Sequence, residues 1–447
     1  MTDLELAFAA LSSKKIEQDA FWSYYNGEHP LKFNRERLRD IFKELDANFT
    51  ENWCSVVVDS VIERLNLHGF TVAGSELATQ RLADLWAATE LSVDADDAHL
   101  SALVTGEGYI IAWPDEDGRP AAFYNDSRNV HVFYDAANPR VKRMAAKWWL
   151  GDDNYRYLTL YYPDRLEYYR SSGKAAPQDV KSAAAFQPIA EPASNPYGVV
   201  PVFHLRRERR GTISELSNVI GPQDSINKLM ADMMVAAEYG AFKQRWIISQ
   251  AQIKNGVLKN APNELWNIPA SDGEGQGTQV GEFSASDLQN YLQAIEQRVN
   301  TVAIISRTPK HYFFSQGGDP SGEALMTMES PINKKTQRYI NRFTVAWRKL
   351  AHFLLMLDGI AVDESAITPI FDKPETVQPR TSADIRKTSV DAGIPLTTVL
   401  RREGWTQQEL DQLAADQKEA QAAQQAGIAA ALLNAQEGFD KGNDNSA

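Results

Sequence analysis

The amino-acid sequence predicts an α+β fold, in which long helices and a group of short strands occupy separate parts of the chain. Residues 1–105 and 222–357 carry mainly the apolar spacing of amphipathic helices, whereas residues 106–205 carry short apolar runs divided by turn residues. Because these turns are short, neighbouring strands are expected to pair as an antiparallel meander.

The first 205 residues divide into a helical half and a strand half. Breakers such as Asn26-Gly27 and His68-Gly69 separate the helical patterns. The predicted helices cover about 3–25, 34–47, 50–66, 75–90 and 93–105, and the predicted strands cover 109–113, 129–134, 141–150, 155–162, 165–170 and 199–205. Residues 171–197 are rich in Ala, Ser and Pro and are expected to form a surface excursion.

Two helical patterns meet at the centre of the chain, in the stretch 284–359. The first, with Ser286 and Gln289 as a capping box, ends at Thr308-Pro309, because the residue before a proline avoids the α region. The second runs from about Ser321 to Leu357, and Pro331 is expected to kink it. A straight helix of that length would measure on the order of 50 Å, which suits a spoke in a large assembly.

A helix of about 222–243 precedes this stretch, and the insert 244–283 lies between them. The segments Trp246-Ile247-Ile248 and 264–268 have strand composition, and 271–281 is a glycine-rich turn. This turn is not a phosphate loop, since no Lys-Ser or Lys-Thr follows its glycines. Towards the C-terminus we predict a strand at 367–371 that returns to the 106–205 sheet, helices at 382–391, 395–402 and 406–435, and disorder in the last ten residues.

Composition and spacing exclude several classes of protein. The net charge of −13 argues against a repressor or nuclease, because proteins that grip DNA use basic residues for phosphate contacts. One cysteine and scattered histidines provide no zinc-binding spacing, and no nucleophile elbow or nucleotide-binding lysine occurs. No catalytic residue, metal site or cofactor is therefore predicted, and no apolar run is long enough for a membrane span.

The loop after Pro309 is unusual because three consecutive aromatic residues follow a lysine and a histidine. One interpretation is a packed connector, whose rings turn into a neighbouring core. The other is a finger that projects from two helices towards a partner. The residues themselves leave both interpretations open.

Short motifs in a fixed order resemble the portal (head–tail connector) proteins of tailed bacteriophages, specifically the siphophage-type portal family. The resemblance covers about 20–380, and the match is poor in the C-terminal part. The motifs that carry it are Tyr24-Tyr25-Asn26-Gly27-Glu28-His29-Pro30-Leu31, Asn52-Trp53-Cys54-Ser55-Val56-Val57-Val58-Asp59-Ser60-Val61, Gly106-Glu107-Gly108-Tyr109-Ile110, Tyr197-Gly198-Val199-Val200-Pro201-Val202, Ser214-Glu215-Leu216 and Gln223-Asp224-Ser225-Ile226-Asn227-Lys228.

The resemblance implies a portal-type subunit with long stem helices, an antiparallel-strand wing, a small clip insert and a helical C-terminal crown. In this sequence the implied parts are a wing (1–213), a first stem helix (214–243), a clip (244–283), a second stem helix (284–308), a tunnel loop (309–322), a long kinked helix that returns to the wing (323–380), a crown (381–436) and a disordered tail (437–447).

The resemblance also implies which residues meet partners. The DNA-facing tunnel loop would be Lys310, His311, Tyr312, Phe313, Phe314, Ser315 and Gln316; weak DNA contacts would come from Lys334, Lys335 and Arg338; and the clip would bind partners through Trp246, Leu265, Trp266 and Ile268. Whether Phe313 and Phe314 face DNA or a neighbouring subunit stays open.

The implied function is a ring, usually of twelve copies, at one capsid vertex of the virion, assembled in the host cytoplasm. Double-stranded DNA would be packaged and ejected through the ring. Its other partners would be the terminase large subunit, head-completion or adaptor proteins, and the major capsid and scaffolding proteins, with no membrane. The alternatives are a monomeric adaptor or scaffold protein, or a soluble enzyme with a helical lid over the 106–205 sheet.

Overall fold

A computed structural model describes residues 2–30, 51–174, 182–208, 211–241, 245–248, 279–283, 287–314, 322–374, 379–403, 405, 409–419 and 421–422. Helices and antiparallel strands both occur, so the α+β class predicted from the sequence is confirmed. The chain forms two compact units. The first unit comprises 1–63, 97–111 and 124–320, and the second comprises 64–96, 112–123 and 321–447.

The helices and strands are numbered separately in chain order. The helices are α1 (Asp3–Tyr25), α2 (Trp53–Ile62), α3 (Glu76–Ala88), α4 (Leu91–Thr105), α5 (Ile220–Ala241), α6 (Gln289–Ser306), α7 (Gly322–Leu357), α8 (Pro379–Asp391) and α9 (Leu396–Arg402). The strands are β1 (Leu67–Val72), β2 (Glu107–Pro114), β3 (Pro120–Asn125), β4 (Val130–Tyr134), β5 (Lys142–Leu150), β6 (Arg156–Tyr161), β7 (Arg165–Ser171), β8 (Phe186–Pro188), β9 (Ala193–Ser194), β10 (Val202–Arg206), β11 (Arg245–Ile248), β12 (Gln279–Glu282) and β13 (Ile367–Phe371).

An antiparallel sheet with the order β4-β5-β6-β7-β8, and with β9 paired to β7, dominates the first unit. Alternate residues of β5 and β6, among them Met144, Trp148 and Leu158, turn to one face and are buried against Ala7 and Leu11 of α1. Burial of each such large apolar side chain stabilises the fold by about 1.5–3 kcal/mol. The predicted meander is therefore confirmed, and α1 covers one of its faces.

Strand β2 lies between β10 and β3 in a separate sheet. Its Gly108 allows the close approach of α4, because a Cβ at this position would lie 2.1 Å from the carbonyl oxygen of Ala98. The neighbouring Gly106 has a φ of +93°, a conformation that side-chain-bearing residues rarely adopt. The Gly-Glu-Gly motif thus has a structural explanation on both sides of Glu107.

In the second unit, β1 pairs in an antiparallel manner with β13. The rings of Phe70, Trp86 and Trp347 form an aromatic cluster beside this pair. The prediction that 367–371 returns to the 106–205 sheet is wrong, since its partner is β1. Strand β1 was not predicted, because His68-Gly69 has the composition of a helix stop; in the structure a bulge in the register lies between Leu67 and Gly69.

Most other predicted elements are found within a few residues of their expected bounds. Helix α6 begins at Gln289 rather than at 284, and Leu288 makes no side-chain cap. Helix α7 is assigned continuously through Pro331, so the kink stays a prediction. Strands β3, β8, β9 and β12 were not predicted; they are short or lie in segments read as turns. The expected helix at 34–47, the strand at 264–268 and the disordered tail lie outside the described residues.

Candidate functional site

Helices α5 and α6 pack against each other in the first unit, and the insert between them begins and ends with paired strands. Trp246 of β11 is opposite Gly281 of β12 in the antiparallel register. A Cβ on Gly281 would lie 2.4 Å from the Trp246 ring, so this position has room only for glycine unless the indole shifts. Trp246, a predicted clip residue, is half-buried; Leu265, Trp266 and Ile268 lie in the part of the chain that the structure does not describe.

The residues Lys310–Phe314, here called the aromatic run, directly follow α6. Arg307 closes the helix in the left-handed conformation, with a φ of 58°, and Thr308 and Pro309 are buried. A short 3-10 turn covers Lys310–Tyr312. Its backbone hydrogen bonds run from Tyr312 N to Pro309 O (3.1 Å) and from Phe313 N to Lys310 O (3.0 Å). The run is therefore an ordered turn.

Members of the aromatic run differ in exposure. Lys310 is exposed, and His311, Tyr312 and Phe314 are half-buried. Phe313 is only 6% exposed, and its ring centroid lies 5.6 Å from that of Trp53 at the start of α2. The two remaining predicted members, Ser315 and Gln316, are not described. The DNA-facing role of the run stays a prediction, and the burial of Phe313 against Trp53 argues against that role for this one residue.

Three buried polar residues of α5 connect this helix to chain segments far away in sequence. Tyr24 donates a hydrogen bond from its hydroxyl to Asp224 (2.6 Å), and the side-chain amide of Asn227 lies 2.8 Å from His29 Nε2. The His29 ring stacks on Tyr24, with centroids 4.2 Å apart. The end of α1 is thereby fixed to α5 by directional contacts.

Gln223 makes the corresponding contacts to the segment before α2. Its Oε1 accepts a hydrogen bond from the Trp53 backbone N–H (2.9 Å), and its Nε2 donates to the Glu51 carbonyl (2.6 Å). Asn227 Oδ1 accepts from the Glu51 N–H at 3.1 Å. We call the seven residues of these contacts the polar junction: Tyr24, His29, Glu51, Trp53, Gln223, Asp224 and Asn227.

Three motifs that carry the portal resemblance meet at the polar junction: 24–31, 52–61 and 223–228. Trp53 connects the polar junction to the aromatic run, because its backbone contacts Gln223 and its ring contacts Phe313. The sequence analysis did not predict this convergence. A signal was nevertheless present, because Gln223, Asp224 and Asn227 lie beside the apolar stripe that begins at Ile226.

A second polar network is buried around Glu107, inside the first unit. Glu107 forms an ion pair with Lys14, accepts hydrogen bonds from Gln18 (2.8 Å) and Tyr109 (2.7 Å), and lies 3.2 Å from His204 Nε2 without the alignment of a hydrogen bond. Burial by itself raises the pKa of Glu107, but the ion pair with Lys14 and the interaction with His204 together outweigh burial and hold this pKa well below its usual range. Burial lowers the pKa of His204 to about 4, so its imidazole is neutral at physiological pH.

Lys334, Lys335 and Arg338 lie on α7 in the second unit. Lys334 and Arg338 are exposed, whereas Lys335 is only 6% exposed. Lys335 shares the buried face of the helix with Ile332 and Tyr339, three residues before it and four after it. The DNA contact expected of Lys335 stays a prediction, and the burial of this side chain argues against it. The helical spacing that places Lys335 on this face is present in the sequence.

Chemical centres were also sought among the described residues. No group of three His, Cys, Asp or Glu side chains in that part of the chain is arranged to hold a metal ion. Cys54 is buried, and burial raises the pKa of its thiol to about 12. In the same part of the chain, no helix is both long and apolar enough to cross a bilayer.

Comparison with known proteins adds independent evidence. Residues 9–423 match the family model described as phage portal protein, SPP1 Gp6-like. The portal protein of Mycobacterium phage L5 is 25% identical over 357 residues, which cover 73% of this chain and 69% of that protein. The portal protein of Mycobacterium phage D29 is 25% identical over 358 residues, with coverages of 73% and 70%. Portal proteins are structural head–tail connectors of bacteriophages. Since the family match spans nearly the whole sequence, this chain belongs to the phage portal protein family.

Proposed function

We propose that this chain is the subunit of a ring at one vertex of a phage capsid, and that double-stranded DNA is packaged and ejected through the ring. The family match over residues 9–423 is the observation that carries the proposal. The pairing of α5 with α6, with a strand pair at the ends of the insert between them, supports the assignment of a stem and a clip. A ring closes when each copy presents one surface to one neighbour and a different, complementary surface to the other.

The parts of the subunit follow from this proposal. We assign 1–213 and 323–380 to the wing, 214–243 and 284–308 to the stem, 244–283 to the clip, 309–322 to the tunnel loop and 381–436 to the crown. The antiparallel sheet and its α1 cover support a rigid wing, because Met144, Trp148 and Leu158 of the sheet are buried against α1. The neighbouring major capsid and scaffolding proteins would contact the outer parts of the ring.

The charge of the chain suits a conduit for DNA. A ring whose subunits each carry a net charge of −13 repels phosphate and lowers the friction on a moving duplex. Lys310 is exposed in the aromatic run and would give a weak, salt-sensitive contact to the DNA backbone. Exposed Lys334 and Arg338 are further candidates for such contacts.

The clip would bind the terminase large subunit during packaging and the head-completion or adaptor proteins afterwards. Within the clip, the described strands expose Ile248 (64%) and Val280 (51%) to solvent. Apolar side chains at such exposure on a two-stranded sheet are suited to protein contacts. The nucleotide-driven work of packaging is assigned to the terminase, and assembly is assigned to the host cytoplasm.

Electron microscopy and mass measurement of the purified full chain test the proposal. The expected result is rings with a central hole, and a particle mass that is a multiple of the 49.9 kDa subunit, about 600 kDa for twelve copies. A single species of subunit mass at high protein concentration would contradict the ring and favour a monomeric adaptor. A ring without a central opening would contradict the conduit.

A further inference from the structure

We infer that Trp53 and Gln223 are positioning residues that couple the aromatic run to α5, so that the run follows the movements of this helix. The inference rests on the proposed function, in which α5 belongs to the stem and the aromatic run to the tunnel loop. The coupling consists of consecutive contacts within the first unit: α5 contacts the 51–53 segment, and Trp53 of this segment contacts Phe313.

The first link is the contact between Trp53 and Phe313. Phe313 is the only described member of the aromatic run that is buried, so its ring anchors the turn to the rest of the unit. The two ring planes are tilted by 46° at a centroid distance of 5.6 Å, within the range of favourable aromatic pairs. Because Phe313 N and Phe314 N both donate to the Lys310 carbonyl, at 3.0 and 3.2 Å, a shift of Phe313 also moves Lys310.

The second link holds Trp53 itself. Gln223 is fully buried and bonds to the backbone on both sides of residue 52, through the Glu51 carbonyl and the Trp53 N–H. The indole Nε1 of Trp53 donates to the Glu51 carboxylate at 2.9 Å, which orients the ring. Both the backbone and the ring of Trp53 are therefore held by groups that α5 fixes in place.

Directional bonds make this arrangement different from ordinary core packing. Apolar contacts tolerate small slides, whereas buried hydrogen bonds lose much of their strength when distances or angles change. The two hydrogen bonds of the Gln223 side-chain amide therefore make the 51–53 segment move with α5. Because the Phe313 ring packs on Trp53, the turn at 310–314 moves with this segment. Without these contacts, α5 could shift while the aromatic run kept its position.

Hydrogen exchange of the purified full chain, read by mass spectrometry, tests the coupling. The peptide that contains the amides of Tyr312, Phe313 and Phe314 is compared between the wild type, Trp53→Ala and Gln223→Ala. Loss of the aromatic pair is expected to raise the exchange of these amides by about 2- to 13-fold, as the energy of such pairs implies. Gln223→Ala is expected to raise the same exchange, although Gln223 lies on α5 and its hydrogen bonds go to Glu51 and Trp53.

Two controls separate positioning from general loss of stability. Trp22→Ala removes another half-buried tryptophan of the first unit, one that pairs with Tyr25 instead of Phe313, and should leave the exchange of the run unchanged. The amides of Val302 and Ala303, buried in α6, should keep their wild-type exchange in all variants. Trp53→Phe retains a ring and should restore most of the protection.

The outcomes are distinct. Faster exchange of 312–314 in both Trp53→Ala and Gln223→Ala, with α6 unchanged, supports the coupling. Wild-type exchange of 312–314 in either variant overturns it, and so does an equal rise in α6. If the wild-type chain forms no rings, the proposed function fails, but the exchange comparison still decides whether the coupling exists.

Discussion

Replacement of Lys14 by methionine is expected to lower the free energy of unfolding by about 3–5 kcal/mol, because it leaves a buried carboxylate without its cation. The side chains of Lys14 and Glu107 are 8% and 3% exposed. Lys14 also donates to the Tyr109 hydroxyl at 3.0 Å and to the Val130 carbonyl. Methionine fills a similar volume, so the effect comes from lost charge and hydrogen bonds.

The size of the effect depends on what remains around Glu107. Hydrogen bonds from Gln18 and Tyr109 persist, which places the expected loss towards the lower end of the range. The double variant Lys14→Met, Glu107→Gln removes both charges. It should lose less stability than Lys14→Met alone, since no unpaired charge is then buried.

Urea unfolding followed by tryptophan fluorescence measures these differences, at one protein concentration and with the assembly state checked for each variant. Lys15→Met is the matched control. It alters the neighbouring, half-buried lysine of α1 and should change stability by no more than about 0.5 kcal/mol. A loss below about 1 kcal/mol for Lys14→Met, or a double variant less stable than Lys14→Met, would refute the account of the ion pair.

Three further predictions concern packing, pH and charge. Gly108→Ala should sharply reduce the yield of folded protein, because its Cβ would lie 2.1 Å from the Ala98 carbonyl oxygen; wild-type yield and urea midpoint would refute this. Stability should fall as the pH decreases from 6.5 to about 4, since His204 binds a proton in the unfolded chain but stays neutral in the folded one. His204 contributes at most about 1.4 kcal/mol per pH unit to this slope, and His131, whose pKa burial also lowers to about 4, adds a contribution of its own. His204→Gln should therefore flatten the slope in urea unfolding series without abolishing it, and an unchanged slope would contradict the assignment. Lys310→Glu should lower the yield of DNA-filled particles without altering ring formation, whereas the matched change at exposed Lys174 should not; equal yields from both variants would remove Lys310 from the DNA path.

Most of the longer regular elements with one buried face were predicted from the sequence. The prediction for α1 agrees with its observed bounds, Asp3–Tyr25, and the strands from β4 to β7 differ by a residue or so at each end. In these elements the spacing of the apolar residues follows from which face packs against the core, so the spacing alone identifies the element. Strand β1 escaped prediction because the signal is only six residues long and contains Gly69, and its partner β13 lies about 300 residues further on.

The candidate site was less predictable, because its geometry depends on contacts between distant segments. The aromatic run is obvious in the sequence, yet nothing local indicates that Phe313 packs on Trp53 while Lys310 stays exposed. Lys335 is the opposite case. Its spacing from Ile332 and Tyr339 places it on the buried face of α7, although its charge alone suggests exposure.

Several motifs that carry the portal resemblance contain buried polar residues and glycines, and their presence has a physical explanation. Apolar core positions accept other side chains of similar volume, so they identify a fold only weakly. A buried polar side chain such as Gln223 needs a partner of defined position and hydrogen-bonding type, and a substitution leaves that partner unsatisfied. The same holds for Glu107 between Gly106 and Gly108, where the backbone itself restricts the neighbours. The polar and glycine residues of these motifs, such as Gln223 and Gly108, therefore hold structural positions that few other residue types could fill.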